Sequence, residues 1–143
     1  MNIIDDLKLQ YETGGIAQRL IFCNVGLFAV PAIVFGILSL AGINIDYLDY
    51  ISLDSLPSSL AWKPWSILTY AVFHSGIFHL FFNMTVLHFS TRLFTTYFNQ
   101  KQLLGLYILG GIFAGFVYIV SYLFLPVFQN STSTLVGASG SIM

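Results

Sequence analysis

Charged residues are scarce in this chain of 143 residues. Only 8% are charged, against about 25% in typical soluble proteins. Hydrophobic residues make up 57%, and the mean hydropathy is +0.82. So few charged side chains cannot cover a surface that faces water on all sides, and so apolar a chain does not stay disordered. The composition therefore excludes a soluble globule and a disordered chain, and it predicts an integral membrane protein.

Basic residues and cysteines are also few. The five Lys and Arg residues are spread over a chain of net charge −1, so they cannot neutralise a phosphate backbone and we expect no nucleic-acid partner. The single cysteine, Cys23, can form no disulfide within the chain. Residues 1–15 carry three acids and one lysine, a pattern unlike the basic head of a signal peptide.

Long apolar segments predict the fold class. A membrane-spanning helix needs about 20 apolar residues, and the bilayer leaves no alternative partner for its backbone. Three segments are long enough, and they run from about Leu20 to Ile43, Trp65 to Phe89 and Leu103 to Phe128. A fourth begins near Leu135. We predict an all-α, polytopic membrane bundle with three complete spans and the start of a fourth.

The positions of Lys and Arg predict the orientation, because cytoplasmic loops carry an excess of these residues. The cations that mark the cytoplasmic side are Lys8, Arg19, Arg92 and Lys101. The loop 44–64 has three aspartates and one lysine and is predicted to lie outside. Residues 1–19 are then a cytoplasmic N-terminal segment and residues 20–143 the membrane domain, in the cell (inner) membrane.

The predicted outer loop is unusually aromatic. Residues 44–64 include Tyr47, Tyr50 and Trp62 among many aliphatic side chains. Trp and Tyr favour the membrane interface. We expect the loop to lie at the membrane surface with short helical pieces, and an ordinary aromatic belt is the alternative.

Polar side chains in the second apolar segment are candidates for chemistry. His79 and Asn83 are four residues apart, so they share one helix face and could donate to a developing oxyanion. Hydrogen bonding to neighbouring helices is the alternative. His74 is expected one turn above His79. His88, nine residues below on the opposite face, is expected to have no role in the chemistry.

The end of the chain reads Gly137-Ala138-Ser139-Gly140-Ser141. A serine between glycines could act as a nucleophile if a base were near, or the small residues could serve helix packing alone. The stripe from Gly111 to Gly115 in the third segment is interpreted as packing. We expect no metal and no cofactor, because all three histidines lie on one predicted span and haem or di-iron sites need ligands on facing helices.

These motifs together resemble the rhomboid family of intramembrane serine proteases. The resemblance covers roughly residues 20–143. It is carried by residues 65–74 (Trp-Ser-Ile-Leu-Thr-Tyr-Ala-Val-Phe-His), by His79-Leu80-Phe81-Phe82-Asn83-Met84, by residues 103–111 and by Gly137-Ala138-Ser139-Gly140.

The resemblance implies cleavage of transmembrane segments of protein substrates within or beside the lipid bilayer. It makes Ser139 the nucleophile and gives His79 and Asn83, with the Ser139 amide, the oxyanion hole. His74, Gly137, Ala138 and Gly140 would support the site. The family's general base is a histidine of a later span, absent from these 143 residues, so we expect them to be a fragment and to be inactive alone.

The chain departs from the family pattern at other positions too. Ser66 stands where many members have an arginine, and Thr95 where an acidic residue is usual. These departures put the anchoring of the outer loop in question. The alternative function is a non-catalytic rhomboid-like protein that binds membrane clients.

Overall fold

The computed structural model describes residues 2–128 and 131–142 and is predominantly helical, as predicted. The helices are α1 (Ile3–Thr13), α2 (Ile16–Leu40), α3 (Tyr47–Ile51), α4 (Pro57–Trp62), α5 (Ser66–Thr69), α6 (Ile77–Tyr97), α7 (Gln100–Phe124) and α8 (Ser139–Ile142). Two short strands, β1 (Leu53–Asp54) and β2 (Thr134–Leu135), and a 3₁₀ turn at Pro126–Phe128 complete the described elements.

Two helices, α2 and α7, are long and apolar enough to cross a membrane. Each has 25 residues, or about 37 Å at 1.5 Å per residue, and a hydrocarbon core is about 30 Å thick. Helix α6 has 21 residues and so reaches a similar length, but its polar residues lower its hydropathy. The count of three complete spans therefore stays a prediction.

The ends of the long helices follow local sequence signals. The Asn99 side chain accepts from the Gln102 backbone N–H at 3.0 Å, and the Gln102 side chain accepts from the Asn99 N–H at 2.9 Å. This capping box satisfies two donors at the start of α7. Just beyond α2, Gly42 adopts a φ of +82°, a conformation that glycine tolerates best.

The second predicted segment is not one helix. The sequence predicts a span from about Trp65 to Phe89, whereas α5 ends at Thr69 and α6 begins only at Ile77. Gly76 is extended, with φ −168° and ψ 163°, and this interrupts the helix. His74 therefore lies in the connecting turn, and its predicted place one helical turn above His79 is wrong.

The fourth segment also begins later than predicted. Leu135, its predicted start, lies in β2, which pairs antiparallel with β1 through Leu53↔Leu135 and Asp54↔Thr134. Helix α8 begins at Ser139. The extended pairing brings the outer loop beside the segment that leads to the Gly137–Gly140 motif.

The glycines of α7 permit close packing, as predicted for this stripe. A Cβ placed on Gly111 would lie 2.5 Å from the Ser141 hydroxyl oxygen. A Cβ on Gly115 would lie 2.9 Å from side-chain carbons of both Ile67 and Leu53. Real Cβ atoms do not make such short contacts, so the absence of side chains here lets α5, β1 and α8 contact α7 directly.

A buried polar contact joins α2, α7 and the turn after α5. Asn24, which is 0% exposed, donates to the Tyr107 hydroxyl at 3.3 Å and to the Leu20 carbonyl at 2.8 Å. The Tyr107 hydroxyl donates to the Ala71 carbonyl at 2.9 Å. Buried polar groups need such partners, and this set ties the turn before α6 to two long helices.

The loop 44–64 contains short helices, as predicted. Two of its backbone carbonyls accept hydrogen bonds from side chains that follow the loop. The Trp65 indole donates to the Tyr50 carbonyl at 2.8 Å, and the Thr69 hydroxyl donates to the Ile51 carbonyl at 2.8 Å. The loop thus has an anchor although Ser66 replaces the family's arginine. Trp62 is 84% exposed, and its contact with lipid stays a prediction.

Candidate active site

Three segments converge at one place in the helical core. They are the turn that carries His74, the first turns of α6 with His79 and Asn83, and the motif Gly137–Gly140 that leads into α8. The structure thus brings together the residues that the sequence predicts for a nucleophile and an oxyanion hole.

Gly137 lies directly against the two candidate donors. A Cβ placed on it would lie 2.5 Å from His79 Nε2 and 3.5 Å from Asn83 Nδ2. Its φ is +124°, a region that residues with a side chain rarely adopt. Glycine is therefore required here on two grounds, since both the backbone angle and the close approach of the imidazole exclude a side chain.

A hydrogen bond to Ser75 orients the His79 ring. The Ser75 hydroxyl lies 3.2 Å from His79 Nδ1. When that hydroxyl donates, the ring proton is on Nε2, the nitrogen that faces Gly137. This is the tautomer that an oxyanion donor needs.

Asn83 offers a buried donor without a partner. The side chain is 7% exposed, and within the described residues its Nδ2 has no hydrogen-bond partner. An unpaired buried donor costs about 1–3 kcal/mol. The unpaired Nδ2 lies 3.5 Å from the Cβ position of Gly137. A negatively charged oxygen bound there would accept its hydrogen bond and remove this unfavourable free energy.

His74, in the connecting turn, contacts the same motif. It is 1% exposed, and its ring packs edge-on against His79 with centroids 5.3 Å apart. The Ala138 backbone N–H donates to His74 Nε2 over a long 3.5 Å. This contact fits the supporting role that the resemblance implies.

Ser139 is half-buried and opens α8. Its neighbours are tightly enclosed: Ala138 is 0% exposed, and a Cβ on Gly140 would lie 2.8 Å from the Ala114 Cβ. Small residues on both sides thus let the serine backbone enter the core.

Comparison with known proteins decides the family. A family model described as the Rhomboid domain matches residues 61–143, more than half of the chain. The chain belongs to the rhomboid family. A search of curated proteins and a search of solved structures found no match.

The family match confirms the resemblance predicted from the sequence, and the matched range contains all the candidate site residues. Together with the two long apolar helices, it makes this rhomboid a helical membrane protein. The roles of the individual residues stay predictions.

The positions of the histidines relative to the motif differ. His88 is exposed on α6, away from the motif, as predicted. Among the described residues, no histidine hydrogen-bonds the Ser139 hydroxyl, and no cluster of three or more metal-ligating side chains occurs there.

Sequence reasoning missed Tyr70 and Ser75 as parts of this rhomboid's site. Ser75 lies four residues before His79, so its spacing was a usable signal for a local hydrogen bond. Tyr70 bonds Gly111 of α7, 41 positions away, and Gly137 of the motif, 67 positions away, and no local pattern predicts such partners.

Proposed function

We propose that this rhomboid is an intramembrane serine endopeptidase that cleaves transmembrane segments of other membrane proteins. Rhomboid-family members are usually intramembrane serine proteases, and the site geometry supports the same activity here. The observation that carries the proposal is the position of Gly137, which lies against both His79 Nε2 and Asn83 Nδ2. In the part of the chain that the structure describes, this Nδ2 has no hydrogen-bond partner. These donors lie beside the backbone that leads to Ser139.

In the proposed reaction, Ser139 Oγ attacks the scissile carbonyl carbon and transfers its proton to a general base. The carbonyl oxygen becomes an oxyanion, which accepts hydrogen bonds from His79, Asn83 and the Ser139 amide. The base then protonates the departing amine, and water hydrolyses the acyl-enzyme. We expect the base to be a histidine of a later span.

The experiment that tests the proposal uses the full-length protein in proteoliposomes with a transmembrane substrate. Ser139→Ala is expected to abolish cleavage without unfolding the protein, because only the nucleophile is lost. Ser141→Ala is the matched control. Ser141 lies two residues after Ser139, and its buried hydroxyl has no hydrogen-bond partner within residues 2–128 and 131–142, so cleavage should persist. Cleavage by Ser139→Ala at the wild-type rate would overturn the proposal.

A second candidate is a non-catalytic rhomboid that binds membrane clients. It is favoured by the lack of a histidine hydrogen-bonded to Ser139 among the described residues. Labelling by a serine-directed fluorophosphonate separates the two functions, since only an activated serine reacts quickly. Client binding without labelling or cleavage by the full-length protein would favour the second candidate.

A further inference from the structure

Tyr70 contacts the candidate motif on both sides of Ser139. Its backbone carbonyl accepts the Gly137 N–H at 2.7 Å. Its hydroxyl oxygen lies 3.1 Å from the position that a Cβ of Gly140 would take. One side chain and its own backbone therefore border the chain just before and just after the serine.

Tyr70 is itself held rigidly. It is 0% exposed, its hydroxyl donates to the Gly111 carbonyl of α7 at 2.5 Å, and its ring lies 3.1 Å from the Cβ position of Gly115. The carbonyl of the next residue, Ala71, accepts a hydrogen bond from the Tyr107 hydroxyl at 2.9 Å. The Tyr70 hydroxyl that lies beside Gly140 is therefore itself bonded to α7.

The nucleophile and the oxyanion donors belong to different elements. Ser139 is on α8, whereas His79 and Asn83 are on α6. Catalysis needs their relative positions to be kept closely, because a misplacement of about 1 Å can cost about 100-fold in rate. The segment between α5 and α6 contacts the motif at two residues: His74 accepts from the Ala138 N–H, and Tyr70 contacts Gly137 and Gly140, on both sides of the serine.

We propose that Tyr70 is a positioning residue, which keeps the Ser139 backbone in register with the His79 and Asn83 donors. This inference rests on the proposed function, since it concerns the rate of that reaction. A tyrosine that only fills the core would contribute to stability alone. The contacts on both sides of the serine predict an additional effect on kcat.

The test is Tyr70→Phe in the full-length protein, with cleavage measured in proteoliposomes. Phenylalanine keeps the ring and loses the bond to Gly111 and the hydroxyl beside Gly140. We expect kcat to fall about 10–100-fold while KM changes less than about twofold. Fluorophosphonate labelling of Ser139 should slow in parallel, because the nucleophile itself is displaced.

Tyr107→Phe is the matched control. It removes another buried hydroxyl that donates to a backbone carbonyl, but that hydroxyl is not among the atoms nearest to Gly137 or Gly140, whereas the Tyr70 hydroxyl lies beside Gly140. We expect it to lower the melting temperature by at least as much as Tyr70→Phe and to lower kcat less than about threefold. Equal losses of kcat in the two variants would overturn the inference.

Two further outcomes are distinguishable. A wild-type protein that neither cleaves nor labels would overturn the proposed function and this inference with it, whereas an active wild type with an equally active Tyr70→Phe would overturn the inference alone. If Tyr70→Phe does not fold, Gly140→Ala tests the contact from the motif side, in a background of Ala114→Gly that removes the other close contact at 2.8 Å and in comparison with Ala114→Gly alone. It should lower kcat with KM unchanged, and an unchanged kcat would overturn the inference.

Discussion

Asn83→Leu should make this rhomboid more stable and less active. Leucine has a similar size and no polar group, so the substitution removes an Nδ2 that is unpaired among the described residues, at a site that is 7% exposed. Relief of an unpaired buried donor is worth about 1–3 kcal/mol. Imperfect packing of the leucine offsets part of this, so we expect a gain of about 1 kcal/mol in the free energy of unfolding.

The effect on catalysis has the opposite sign. Loss of one oxyanion donor typically lowers kcat by about 10²–10³-fold, or about 2.7–4 kcal/mol of transition-state stabilisation. The full-length variant should therefore melt at a higher temperature in detergent while its cleavage rate falls by two to three orders of magnitude. KM should change little, because the lost bond forms only in the transition state.

Asn24→Leu is the matched control for this prediction. Asn24 is also buried, but its amide bonds both the Leu20 carbonyl and the Tyr107 hydroxyl. Leucine there leaves the hydroxyl with one partner fewer and should lower the melting temperature. If Asn83→Leu destabilises the protein as much as Asn24→Leu does, Asn83 has a structural partner, and the reasoning on the oxyanion hole is refuted.

Two other predictions test the geometry and the topology. Gly137→Ala should abolish cleavage and lower the free energy of unfolding by about 1–3 kcal/mol. The reasons are that the new Cβ meets His79 Nε2 and that φ is +124°. Unchanged activity and melting temperature would contradict the placement of Gly137. Cysteines introduced singly at positions 129–133 should be labelled by an impermeant thiol reagent from outside, and those at 96–100 should not, as the distribution of Lys and Arg predicts. The reverse labelling pattern would contradict the proposed orientation.

The apolar segments predicted two helices well. The first was placed at about 20–43 and lies at Ile16–Leu40, and the third was placed at about 103–128 and lies at Gln100–Phe124. Both helices begin earlier than predicted because polar residues such as Gln18 and Gln102 occupy their first turns. Hydropathy detects the part of a helix in lipid, whereas the helix itself extends to its cap.

The segment around His74 could not be predicted in the same way. Its residues are apolar enough to continue a span, and only Ser75-Gly76 signals the interruption before α6. For the candidate site, the spacing of His79 and Asn83 predicted the shared face of α6. The approach of Gly137 to that face depends on contacts between residues more than fifty positions apart, and local sequence carries no information on them.

The candidate site is assembled correctly only when the short strands β1 and β2 pair in the observed register. The pairs Leu53↔Leu135 and Asp54↔Thr134 define it, together with the hydrogen bond from the Ser55 N–H to the Ser133 carbonyl at 3.0 Å, and Gly137 follows two residues after Leu135. A slip by one residue would turn Leu135 to the opposite face and draw Gly137 away from His79. Such a molecule would keep its helices and its membrane insertion, so assays of folding based on helix content would count it as native although its site is not assembled.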